Sequence, residues 1–196
     1  MPSPVAHTLV GMTLGVACCL PRGGGWRRLG GRIWRWRGLL LVCVVLANAP
    51  DVDYLFGLAA GDLNSRHQLV THTLGWIAAV TLALWWAQRY FAPRAVRLSG
   101  ALIFLLLASH LAADYLGRDL GPPFGIMAFW PLSDRFLLSP WPVFPAPAKR
   151  ALGELWSAHN LRVMAWEFAL LMPALLAVML YKARGPAGGP PAGQSG

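Results

Sequence analysis

The sequence predicts an all-α fold: a polytopic membrane bundle of about five transmembrane helices with a long Pro/aromatic-rich loop outside the membrane. Three observations carry that expectation. Of 196 residues, 56% are hydrophobic and only 13% charged, giving a mean hydropathy of +0.49 that a soluble domain of this length does not show. The apolar residues fall into five runs with arginine or proline at the breaks. Ten tryptophans are present, and indoles favour the interfacial belt of a bilayer. A net charge of +9 raises the question of nucleic acid. The basic residues sit mainly at the ends of apolar runs and form no coherent basic face, so no nucleic-acid partner is expected.

The first run, Val5 to Leu20, carries His7 near its start and has no basic residue ahead of it. A secretory signal needs a positive region there, so the run reads as a retained transmembrane helix, slightly short. Residues 21 to 37 then hold six arginines interleaved with Trp26, Trp34 and Trp36, which reads as a cytoplasmic loop with interfacial aromatics in contact with anionic headgroups. A second run begins near Ile33 and stops at Asn48-Ala49-Pro50-Asp51, where proline breaks the helix. The third, Leu69 to Phe91, starts with His72, and the fourth, Leu98 to Leu116, carries His110 and Asp114 near its end. Between Gly117 and His159 the density of prolines rules out a span and predicts a loop with short helical pieces over the membrane face. The fifth run is Leu161 to Tyr181. Residues 1 to 184 therefore read as a single domain, and the Gly/Pro-rich residues 185 to 196 as a disordered tail. Cys18, Cys19 and Cys43 lie inside apolar runs without metal-ligand spacing and read as small buried apolar residues.

Threading five spans with the arginine loop inside puts residues 21 to 37, 89 to 97 and 182 onward on the cytoplasmic side, with eleven of the seventeen basic residues. His7, Asp51, Asp53, His67, His72, His110, Asp114 and His159 then all fall at or near the opposite ends of their helices. Ionisable groups at the edge of hydrocarbon are costly and face a bundle interior with partners. Capping of helix ends by polar residues is the plainer explanation, but the outer end has no comparable excess of Ser, Asn or Gln. Imidazole and carboxylate are the ligand types that divalent metal sites mix. His110 and Asp114, four residues apart on one helical face, can reach the same ion. The expected ligands are His7, Asp51, Asp53, His72, His110 and Asp114, with Thr71 and Ser109 orienting them and His67 and His159 as proton carriers.

The order of these elements resembles the YdjM family of inner-membrane proteins, described as candidate membrane-bound metal-dependent hydrolases. The resemblance rests on early His7, Pro50-Asp51-Val52-Asp53, His67 with Thr71-His72-Thr73, Ser109-His110-Leu111-Ala112-Ala113-Asp114, and Phe129-Trp130-Pro131, and runs to about Pro142. Two positions depart from the family pattern: Gln68 stands where an arginine usually follows the first histidine, and Gly117 where threonine tends to stand. More distantly, the ligand order is similar to that of zinc-dependent phospholipase C and P1-type nucleases, which implies one or two zinc ions. The implied activity is hydrolysis by metal-activated water; a site at headgroup depth points to a lipid or lipid-linked phosphoester as substrate and membrane lipids as partners, and the arginine topology puts it near the extracytoplasmic face of the inner membrane. The rival expectation is a non-catalytic protein that binds or transports the metal; a transporter would carry its ligands at mid-bilayer.

Overall fold

The structure, a computed structural model, describes residues 1–55, 68–119, 124–148 and 152–184. His67 and the tail 185–196 lie outside the described residues. Six α-helices are present among them: α1 (Pro4–Cys19), α2 (Gly25–Arg35), α3 (Arg37–Asn48), α4 (Leu74–Phe91), α5 (Gly100–Tyr115) and α6 (Ala158–Ala183). Four begin at a hydroxyl cap whose oxygen accepts a backbone N–H of the first turn: Ser3 from Val5, Thr73 from Trp76, Ser99 from Leu102 and Ser157 from Asn160. Pro4 follows the Ser3 cap in the first turn, where the ring costs no helix hydrogen bond. The described part of the segment between α5 and α6 is mostly irregular. It is tied by single bridges between Gly117 and Phe144 and between Ile126 and Leu137, with one 3-10 turn at Leu152–Trp156.

α1 is the central helix, packed on α3, α5 and α6, while α4 packs on α5. Gly11 and Gly15 allow the close approach to α3. A Cβ at Gly11 would lie 2.8 Å from the Ala47 Cβ and 3.0 Å from the Cys43 carbonyl oxygen, and one at Gly15 would lie 3.0 Å from Leu40. Small residues four apart let helix backbones meet closely in a membrane. That contact draws His7, four residues before Gly11, toward the end of α3.

The start of α1 is also held from α6. The buried Glu167 carboxylate accepts the Ser3 backbone N–H (2.6 Å) and the Ser3 hydroxyl, so a membrane-helix side chain satisfies the N-terminus of another helix. Hydrogen bonds to a buried charge are worth about 1.5–3 kcal/mol each. Glu167→Ala is expected to destabilise the protein by about 2 kcal/mol, with Glu167→Gln in between; thermal unfolding in detergent measures both, and an unchanged midpoint for Ala would refute the role of this contact.

One expectation is corrected. Residues 21 to 37 are not a plain loop: they contain α2, set at 70° to the helix that follows. Among the described residues one helix, α6, is long and apolar enough to cross a membrane by itself, with the bent pair α2–α3 as a second if the two are taken together. α1 and α5 are apolar but have 16 residues each. At about 1.5 Å per residue they reach roughly 24 Å, short of the ~30 Å hydrocarbon core.

Candidate metal centre

Four elements bring the ligand-type side chains to one place. His7 lies in the first turn of α1, and Asp51 and Asp53 in the 3-10 turn Ala49–Asp53 that Pro50 starts beyond α3. His72 closes the 3-10 turn Val70–His72, one residue before the Thr73 cap, so it precedes α4 instead of opening it. His110 and Asp114 stand one turn apart at the end of α5.

The polar tips converge. His110 Nε2 lies 3.3 Å from Asp51 Oδ1 and 3.3 Å from Asp114 Oδ2, and His72 Nε2 lies 3.2 Å from Asp114 Oδ2 and 3.7 Å from Asp51 Oδ1. Zinc bonds to nitrogen and oxygen of ~2.0–2.1 Å in a regular tetrahedron place neighbouring ligand atoms about 3.3–3.4 Å apart. The four separations scatter around that value. His110 Nε2 and Asp114 Oδ2 are buried and, despite their proximity, are not aligned as a hydrogen bond, as befits lone pairs directed at a common point. These residues fit a divalent ion. His7 sits next to this group, its ring stacked on His110 with centroids 3.7 Å apart and its Nε2 3.5 Å from Asp114 Oδ1. His7, His110 and Asp114 form a second, overlapping set of possible ligands beside Asp51, His72 and His110.

The outer contacts fix tautomers. His110 Nδ1 meets the Ala47 carbonyl oxygen at 2.8 Å, which calls for a proton on Nδ1 and leaves the Nε2 lone pair free to bind. His72 Nδ1 lies 3.0 Å from the Thr71 hydroxyl and 3.2 Å from Asp53 Oδ2, so Thr71 and Asp53 stand behind His72 while Asp51 stands in front of it. Asp53 Oδ2 in turn accepts the Thr71 hydroxyl (2.8 Å) and the Gln68 backbone N–H (3.2 Å). Ser109, expected to act like Thr71, donates instead to the Leu106 carbonyl within its own helix. His159 takes no part in the described contacts of this cluster; its Nε2 meets the Ala146 carbonyl oxygen at 2.8 Å.

The electrostatics favour a cation. Burial by itself would lower the His72 pKa, but Asp114, Asp51 and Asp53 outweigh it and hold the imidazole well above its ordinary value. A field that retains a proton so firmly also attracts a metal ion. The cluster is closed on most sides: the side chains of His7, His72, His110 and Asp114 are at most 2% exposed, whereas Asp51 is 18% exposed and marks the open side.

Two participants, Asp119 and Tyr54, escaped sequence reasoning, and a third, Gln68, stood out only as a departure from the family pattern. Gln68 adopts a left-handed backbone (φ 71°), rare for a side-chain-bearing residue, which delivers its N–H to Asp53. Its side chain donates to Asp119 Oδ2 (3.0 Å), which also accepts the Gly125 N–H (2.9 Å) and so joins the loop to the cluster. Tyr54 follows Asp53, and burial, then the Asp51 charge, raise its phenol above the usual value, keeping it a protonated donor near the carboxylates. No spacing rule singles out any of the three.

The fold and the cluster define a helical protein rich in exposed apolar surface, with a buried His/Asp centre suited to a divalent ion. The family model described as YdjM inner membrane protein matches residues 1–185, and the chain belongs to that family. No curated protein and no solved structure matches it.

Proposed function

We propose that this protein is a multi-pass inner-membrane hydrolase that uses a divalent ion, zinc, to cleave a lipid or lipid-linked phosphoester. The observation that carries the reading is the convergence of Asp51, His72, His110 and Asp114, in which each of the two imidazole Nε2 atoms lies 3.2–3.7 Å from an oxygen of each carboxylate. The ion, when bound, supplies water of pKa near ~7 in place of ~15.7 and polarises the phosphoryl oxygen. The chain's own residues do the rest. Ala47 and Asp53 keep the Nε2 atoms of His110 and His72 as ligands. Asp51 lies on the open side, where substrate arrives, and the protonated Tyr54 phenol is a donor for a phosphoryl oxygen. His7, on the far oxygen of Asp114, is the ligand for a second ion if the centre is dinuclear. Val52 and Val70, neighbours of Asp51 and Thr71, are exposed, which suits an amphiphilic substrate better than a free sugar or nucleotide.

Five membrane passes accord with the apolar outer faces of α3 to α6, where Leu41, Val45, Leu82, Leu105 and Leu170 are exposed. The two 16-residue helices then require a locally thinned bilayer. With the arginines inside, the metal centre lies near the extracytoplasmic face. Reporter fusions at Ala146 and Asn64 are expected to behave as extracytoplasmic and one at Gly31 as cytoplasmic; a cytoplasmic signal at Ala146 would put the centre on the other side.

The functional test is elemental analysis of the purified protein together with metal-dependent release of headgroup or phosphate from phospholipids and prenyl phosphates in detergent. Asp114→Asn and His72→Ala serve as controls. Stoichiometric metal with no hydrolysis above those controls across the panel would replace the enzyme by a metal-binding or transport protein.

A further inference from the structure

The end of the bundle remote from the metal centre carries charge without compensation. Residues 4–49, 74–113 and 168–196 contain no Asp or Glu, while Arg22, Arg27, Arg28, Arg32, Arg35 and Arg37, then Arg89, Arg94 and Arg97, gather where α2 meets α3 and where α4 turns into α5. α2 is built to lie flat: Leu29 is fully buried, Trp26 and Trp34 are exposed, and the helix is bent 70° from its successor. This is the pattern of an interfacial helix.

Two apolar clefts of about 470 Å³ each open beside it, sharing Trp36, Leu39 and Leu98 as a common wall. The first runs along Val42, Leu46, Leu84 and Ile103 and includes Arg35 in its lining; the second runs along Ala101, Leu102 and Leu105 and includes Arg97. Each arginine immediately precedes a residue of the wall, Trp36 or Leu98, so a cation flanks the wall from each side. Arg97 is anchored for such a role, its Nε donating to the Ala92 carbonyl (3.0 Å) and one terminal nitrogen to that of Arg89 (2.7 Å).

We infer that this end binds one anionic diacyl phospholipid, with an acyl chain in each cleft and the headgroup phosphate at Arg35 and Arg97. Charge decides the occupant. A zwitterionic lipid fills the clefts equally well but gains little from an end whose described residues carry no Asp or Glu, and a second copy of the chain would bring the same positive charge against it. The clefts place the chains along α3, α4 and α5, the helices that carry or adjoin Asp51, His72 and His110 at their other ends.

The test is lipid retention, read by native mass spectrometry of detergent-purified protein incubated with phosphatidylglycerol or phosphatidylcholine. Wild-type protein is expected to retain one phosphatidylglycerol, less of it as salt is raised, and to release phosphatidylcholine. Each basic residue at an anionic headgroup strengthens binding about fivefold, so the Arg35→Gln/Arg97→Gln double variant is expected to bind about 25-fold more weakly, and the corresponding double lysine variant to keep most of the affinity. Val42→Trp fills one cleft, leaves the charge intact, and is expected to abolish retention. Equal retention of both lipids by the wild type, or phosphatidylglycerol retention indifferent to salt, overturns the inference without reference to any variant. So does full retention by the folded glutamine pair or by folded Val42→Trp.

Discussion

Asp114→Asn is expected to lose metal and turnover together, with affinity for the ion down by more than about 100-fold, beyond what changes outside the ligand shell cost. Asparagine matches aspartate in shape, so the substitution leaves packing nearly intact and removes the charge. Asp114 Oδ2 is the atom that both imidazoles approach, at 3.2 and 3.3 Å, and Oδ1 faces His7 at 3.5 Å, so one carboxylate meets three histidines of the centre. The same variant separates a metal centre from a cluster of ion pairs that merely stabilises the fold. In a metal centre, chelator lowers the unfolding temperature of the wild type, because an ion present at 1,000 times its dissociation constant adds about 4 kcal/mol of stability, and Asp114→Asn no longer responds to chelator. In a metal-free cluster, chelator does nothing to the wild type, and the variant unfolds earlier because His72 and His110 lose a buried counter-charge. Elemental analysis with and without chelator distinguishes the two.

How much of this could be read in advance follows from what each residue type signals. Helix starts were legible in part: Ser99, Ser157 and Thr73 are oxygen caps just ahead of apolar runs, as Ser3 is. The convergence of His7, Asp51, His72, His110 and Asp114 was legible because an up-and-down topology puts the end of one span and the start of the next at the same level, and scarce ionisable residues there have few places to go. α2 was not legible. Glycines and arginines over residues 21 to 37 mask an amphipathic helix whose buried face is essentially Leu29. Span length was overread: apolar runs extend past the helices that they contain, so Leu69 to Phe91 begins five residues before α4 does. The Gly11–Gly15 pair was available to the eye, but only the neighbouring helix shows what their missing side chains are for. The division of labour between Asp51 and Asp53 was out of reach in principle. Residues two apart in an extended segment point to the same side, whereas in the 3-10 turn that they occupy, at three residues per turn, they diverge and meet His72 at different ring nitrogens.

That division makes the second large prediction. Asp53→Asn is expected to lower metal affinity by about 10–100-fold while leaving the ion able to bind. The reason is the proton on His72. Aspartate at 3.2 Å from Nδ1, and the Thr71 hydroxyl at 3.0 Å whose own proton goes to Asp53, require that nitrogen to be the donor, which frees Nε2 to face Asp51 and Asp114. An asparagine amide can accept as well as donate, so it permits the opposite tautomer, in which Nε2 carries the proton into the place of the ion. The Thr71 hydroxyl and the Gln68 N–H still find an oxygen at position 53, so the turn holds its shape and stability changes little. Thr71→Val, which removes one of those two donors, is expected to weaken the ion less than Asp53→Asn does. Competition against a chelating dye measures all of these. Affinity equal to wild type would reduce Asp53 to a prop for the turn, and a loss as complete as that of Asp114→Asn would make it a ligand in its own right.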